Sequence, residues 1–135
     1  MKKALSVPAF ILLLLALAAC GTAGKIHNQK DSAGWAGTYS GTIPAADGPG
    51  IDVRITLYTD FRYELVYKYI GKNNDALVYL GDFRWDKKKN MITLNNSRGI
   101  PPYYNVGENI LTQLDLDKRA IKGEHADMYI LRKKQ

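Results

Sequence analysis

The chain is 135 residues long and 46% hydrophobic, with one cysteine and a formal net charge of +6. A single cysteine excludes an intrachain disulfide, so a hydrophobic core must hold whatever folds. The basic residues form no dense block: Lys87-Lys88-Lys89 and Arg132-Lys133-Lys134 are short runs of the kind found in solvated turns and tails, which argues against a nucleic-acid partner.

Lys2 and Lys3 precede an apolar run from Ala4 to Leu17, followed by Ala18, Ala19, Cys20 and Gly21. A basic start, an apolar stretch and small residues before a cut are the parts of a secretory signal. The run is shorter than the roughly 20 residues that a membrane-spanning helix needs, and a plain secretory signal needs no cysteine after its small pair. Leu17-Ala18-Ala19-Cys20 resembles the lipobox of bacterial lipoproteins. The resemblance implies that residues 1–19 are removed as a signal peptide and that Cys20 is lipidated, giving the protein a membrane partner through its lipid anchor. Each acyl methylene buried in the bilayer adds about 0.8 kcal/mol, so several chains anchor firmly. Gly21 and Thr22, in place of an aspartate after the cysteine, imply the cell outer membrane by enterobacterial sorting rules, with the domain facing the periplasm.

Residues 20–34 read as a lipidated flexible tether of Gly, Ala, Ser, Asn, Gln, Lys and Asp with no apolar period. Fully extended, such a segment reaches about 50 Å; as a coil it spans about 20 Å. From Trp35 the period becomes two, the mark of strands. Ile51, Val53, Ile55 and Leu57 alternate with polar neighbours; Phe61 to Tyr69 and Leu77 to Trp85 keep the same period, with Val66, Val78 and Leu80 as apolar residues on the second face. Shorter runs follow at Ile92 and Leu94, Tyr104 and Val106, Ile110 to Leu114, and Tyr129 and Leu131. Thr59-Asp60, Gly71 to Asp75, Lys87 to Asn90, Ser97 to Pro102, Gly107 to Asn109 and Asp117 to Gly123 supply the turns. No helical period is present. Seven or eight short strands predict an all-β fold, a small antiparallel up-and-down barrel over residues 35–132 with a basic tail at 133–135; a sandwich is the alternative. Val78 and Leu80 put apolar side chains on the second face of their strand, either as ordinary barrel exterior or as a partner surface.

The segment from Trp35 to Ile51 is the most distinctive. Gly37 and Gly41 permit close backbone approach on a strand, and Asp47-Gly48-Pro49-Gly50 makes a turn. Trp35, Gly37, Pro44, Ala46, Asp47, Gly50 and Ile51 stand where the pattern of the NlpE N-terminal domain family has them, and this segment resembles that family. Tyr69 with Gly71, Gly81 with Trp85, Leu94, Tyr104, Asn109 to Asp115 and Tyr129 with Leu131 follow in the family's order. The resemblance covers residues 35–132. It implies a lipocalin-like barrel, in a single-domain version where longer members continue into a second, OB-like domain. It also implies a link to the Cpx envelope-stress response. The family's Cys-x-x-Cys falls on Ala45 and Gly48, which offer no thiolate, so the copper chemistry of the family is not expected here.

The remaining residues give chemistry little support. His27 lies in the tether and His125 in a late loop, while Met91 and Met128 sit on predicted strands as core candidates. No metal site, cofactor or catalytic residue is expected. Asp115 and Asp117 would face the same side at a strand end, most simply as a turn rim. Asp47 is expected to bond its own turn backbone near Pro49. Tyr63, Tyr67, Tyr69, Tyr79, Phe83 and Trp85 either fill the barrel or line an open mouth for a small apolar ligand. The expected function is an outer-membrane-anchored envelope module that binds a protein partner or signals stress, not an enzyme; the alternative is a carrier of a small apolar or amphipathic molecule.

Overall fold

Period-two patterning becomes eight strands in a computed structural model that describes residues 34–73 and 75–135. The leader, Cys20 and the tether through residue 33, His27 included, lie outside the described residues. The strands are β1 (Gly37–Ile43), β2 (Ile51–Leu57), β3 (Arg62–Tyr69), β4 (Leu77–Asp86), β5 (Met91–Leu94), β6 (Tyr103–Gly107), β7 (Ile110–Gln113) and β8 (Ile130–Lys133). Each pairs antiparallel with its neighbour in sequence, and β8 returns to β1 to close the barrel. This is the up-and-down barrel that the alternation predicts, not the sandwich.

Alternation sets the faces. In β2, Ile51, Val53, Ile55 and Leu57 are buried while Asp52 and Arg54 face water. Tyr63, Leu65 and Tyr67 do the same from β3. With Tyr39, Ile43, Phe83, Ile92, Leu94, Tyr104, Leu111 and Leu131 they fill the lumen as one cluster. Each such side chain taken from water is worth about 1.5–3 kcal/mol.

One end of the barrel is stoppered by aromatics. The Trp35 ring lies 5.6 Å from Phe61, 5.6 Å from Phe83 and 5.2 Å from Trp85, the last two edge-on. Below it, the Tyr39 hydroxyl donates to the Trp35 carbonyl at 2.7 Å. Phe61 occupies the left-handed region at φ 65°, an outlier for a bulky residue. It closes the β2–β3 turn, donating its N–H to the Tyr58 carbonyl at 3.0 Å. Its packing on Trp35 and Phe83 holds an aromatic where a turn would favour glycine.

The same end fastens the first and last residues of the described chain. Lys133 Nζ donates to the Gly34 carbonyl at 2.8 Å and lies 5.8 Å from the Tyr39 ring centre. Lys134 N–H donates to the Thr38 carbonyl at 2.8 Å. The ladder therefore takes in two lysines that charge alone placed in a tail. Tyr129 belongs to a 3-10 turn, Ala126–Tyr129, ahead of β8 and not to the strand itself. Met91 is buried in β5, whereas Met128, expected in the core, is exposed on that turn.

Closure is uneven around the barrel. β4, ten residues long, pairs with β3 from Leu77 to Asp82 but with β5 only from Phe83 to Asp86. After Leu94 the chain leaves β4: Asn95 N–H donates to the Asp82 carbonyl at 2.9 Å, and residues 96–102 loop away with Ile100 packed on the core.

Candidate functional site

At the end opposite Trp35, the β1–β2 loop Pro44–Gly50 leans on the β3–β4 turn. The Ile70 N–H donates to the Gly50 carbonyl at 3.0 Å. Pro49 packs over Gly71, and Lys72 Nζ meets Asp47 Oδ2 at 3.1 Å while lying 5.4 Å from the Tyr69 ring centre. The ion pair is exposed and worth at most about 1 kcal/mol. Asp47 thus spends its carboxylate on Lys72, and its expected bond to the turn near Pro49 is replaced by this link between two loops. Gly50 is required by space: a Cβ there would come within 2.9 Å of Thr42 Cγ2 and 3.0 Å of the Ile43 carbonyl, at φ +145°.

Ala46, Asp47 and Gly48 stand exposed, while Pro44 is half-buried and Ala45 packs against the core. Position 48 has room for a side chain, its nearest neighbour being the Ile70 carbonyl at 3.9 Å. Its φ of +113° is one that L side chains rarely adopt. The loop is therefore built around glycine at position 48. Among the described residues, no three His, Cys, Asp or Glu side chains come together as a metal site.

Tyrosines run through the lumen from the Trp35 end to the loop. Tyr63 and Tyr67 are buried, and Tyr69, Tyr79 and Tyr129 pack around them. Burial pushes the Tyr67 hydroxyl well above the ordinary phenol range, with Tyr69, Tyr129 and Tyr79 raising it further. Burial raises Tyr104 strongly too, with Tyr67 and Tyr63 adding to it. Tyr63 is satisfied, donating to the Asn95 carbonyl at 2.5 Å. The Tyr104 hydroxyl is fully buried and has no hydrogen-bond partner among the described residues, and the same is true of Trp85 Nε1. Among the described residues, the aromatics considered from sequence as a mouth lining belong to the core instead: Tyr63, Tyr67 and Phe83 are buried in it and Tyr69, Tyr79 and Trp85 pack against it. An unpaired buried hydroxyl costs about 1–3 kcal/mol. Tyr104→Phe is therefore expected to raise stability by about 1 kcal/mol, read as a higher urea midpoint at unchanged slope; a lowered midpoint would mean that a polar molecule partners the hydroxyl in solution.

Asp115 and Asp117 do not form a carboxylate pair. Asp115 Oδ1 accepts from the N–H groups of Asp117 and Arg119 at 2.9 and 2.8 Å, and Asp117 pairs with Arg119 at 3.0 Å. They brace a turn, as the simpler sequence reading had it.

Comparison with known proteins fits this geometry. The pattern of the NlpE N-terminal domain matches residues 39–124. Lipoprotein NlpE of Escherichia coli K12 is 20% identical over 128 residues, covering 91% of this chain and 54% of that protein. The chain therefore spans about half the length of this curated relative. A crystal structure of a Shewanella oneidensis protein described as a lipoprotein superposes with a TM-score of 0.66 at 41% identity, covering 74% of this chain and 89% of that one. The crystal structure of the Cpx pathway activator NlpE from Escherichia coli gives 0.55 at 22% identity, over 65% of this chain and 46% of that one, a likeness of fold.

Proposed function

This chain belongs to the NlpE N-terminal domain family, and we propose that it serves the bacterial envelope as a lipid-anchored barrel that binds or signals rather than catalyses. The observation that carries the reading is the family match across a barrel whose lumen its own aromatic and aliphatic side chains occupy. With the interior filled, recognition falls to the loops and the outer faces of strands. The Escherichia coli relative is named as an activator of the Cpx pathway; on that analogy the module reports envelope stress, and its working parts are the loop Pro44–Gly50 and the turn docked on it. Ala45 and Gly48 bear no thiol, so the proposal includes no thiolate-bound metal.

The anchor is tested at Cys20. Cys20→Ala is expected to leave the precursor at its full mass and remove it from the outer-membrane fraction, as followed by mass spectrometry and membrane fractionation. Normal processing and sorting of this variant would refute lipid anchoring. For the signalling half, overproduction of the parent chain is expected to induce an envelope-stress reporter several-fold, and the mislocalised Cys20→Ala chain should change that response. A reporter indifferent to both would leave a binding module without a stress role.

A further inference from the structure

β4 carries three of the seven exposed large apolar side chains among the described residues: Leu77, Val78 and Leu80, at 45%, 57% and 62% exposure. They cluster because half of this strand has a neighbour on one side only. Phe83 N–H donates to the Phe61 carbonyl at 2.9 Å, so Phe83, and with it Gly81, Tyr79 and Leu77, direct their backbone groups toward β3. Asp82 accepts from Asn95 on the opposite side, and Leu80 and Val78 share that direction by the two-residue repeat. Among the described residues no strand pairs with that side of Leu80 or Val78. Among the described residues, the side-chain hydrogen bond on that side is from Asn96 Nδ2 to the Leu80 carbonyl, at 3.4 Å. Gly81 marks the end of the gap, because the Asn95 carbonyl sits against it.

An edge with unpaired N–H and C=O groups and apolar side chains is a template for another strand. Natural barrels avoid such edges with charge, proline or a bulge; residues 76–80, Ala-Leu-Val-Tyr-Leu, have none of these. We infer that the free edge of β4 pairs with the same edge of a second copy of this chain, antiparallel about a two-fold axis at Val78. The window favours a copy of itself. Val78 is central in Ala76–Leu80, and a two-fold axis there sets Val78 opposite Val78 and Ala76 opposite Leu80. Each copy then supplies the N–H groups that the other's Val78 and Ala76 carbonyls lack, and its Ala76 N–H takes over the Leu80 carbonyl from the long Asn96 contact, as an isologous contact requires. Outward, Val66, which pairs with Val78 within each barrel, extends the strip to four valines across the joint. The charges flanking it agree. Glu64 lies beside Leu80, and Lys68, one step beyond the Tyr67–Leu77 pair, lies beside Ala76. Each row across the axis therefore ends in Lys68 of one copy and Glu64 of the other, with no like charges opposed.

The test uses the full chain in its host membrane. Directly opposed residues of a hydrogen-bonded antiparallel pair have Cα atoms about 5.5 Å apart, within disulfide reach. Under mild oxidation, Val78→Cys is expected to give a species of twice the chain's mass. The parent chain, with Cys20 alone, and Arg84→Cys, on the part of β4 that β5 covers, are expected to give little. Val78→Pro removes the N–H facing the gap and leaves the bonds to β3; its sedimentation in detergent should shift from dimer to monomer with an unchanged far-ultraviolet spectrum. Val78→Cys crosslinking no better than Arg84→Cys would overturn the inference. So would a Val78→Cys adduct whose mass is not twice the chain's, which would place a different protein on this edge, or a Val78→Pro chain that stays dimeric.

Discussion

Trp35→Ala is expected to cost about 3 kcal/mol of folding stability, toward the lower end of what large aromatic truncations remove because the ring is half-buried. The ring touches Phe61, Phe83 and Trp85 at once, so its loss opens the end of the lumen and exposes the rings beneath. Aromatic pairs add roughly 0.5–1.5 kcal/mol beyond their buried area. For a domain near 100 residues, the melting temperature should fall by roughly 12–24 °C. Phe61 makes the effect larger than area suggests, because its left-handed backbone is held in part by the packing that Trp35 provides, with Phe83 as the other ring against it. Thermal denaturation followed by near-ultraviolet circular dichroism would report both the loss of stability and the loss of the ordered aromatic signal. A change of only a few degrees would show that Trp35 is peripheral to the core.

Gly81→Ala is expected to be nearly as damaging, although the added group is one methyl. A Cβ there would sit 2.7 Å from the Asn95 carbonyl and 2.9 Å from Tyr63 Cε1. The first contact is with backbone and the second with a ring buried at 1% exposure, so neither yields cheaply. Overpacking of this kind costs about 1–3 kcal/mol, and displacing the Tyr63–Asn95 hydrogen bond adds about 1 kcal/mol. The predicted result is a urea midpoint lowered by a total near 3 kcal/mol once multiplied by the slope. If the midpoint held, the Asn95 segment would be free to move away from β4, and the gap beside Leu80 would be wider than it stands.

Most of the barrel was legible because each strand advertises its two faces independently. Ile51 to Leu57 alternate without a break and Phe61 to Tyr69 break only at Val66, and their turns carry Thr-Asp, Gly and Asn at the right places. The barrel and its meander order follow from that pattern, while the family was legible separately, as a resemblance carried by Trp35 to Ile51. The 3-10 turn at Ala126–Tyr129 was not legible: four residues are too few to show a period, so Met128 read as a strand core residue. The fate of Asp47 was hidden for another reason. Its partner Lys72 lies 25 residues away on a different loop, and a lone sequence favours local turn bonds over distant ones. Where β4 loses its partner also could not be read, since the extent of a ladder depends on two strands and the loop after β5. The trace it left was the apolar pair Val78 and Leu80 on a face that water should own. At the loop, Asp47-Gly48-Pro49-Gly50 was visible as a turn, but the positive φ that makes glycine suit position 48 belongs to the backbone alone.

The fastening of Gly34 to Lys133 and of Thr38 to Lys134 gives the molecule a polarity. Both ends of the described chain are moored at the Trp35 pole, and β1 runs from there to the far rim, seven residues or about 23 Å of strand at most. The chain therefore enters and leaves the described barrel at the same pole. Asp47 and Lys72 crown the opposite one, a full strand length from both points of entry.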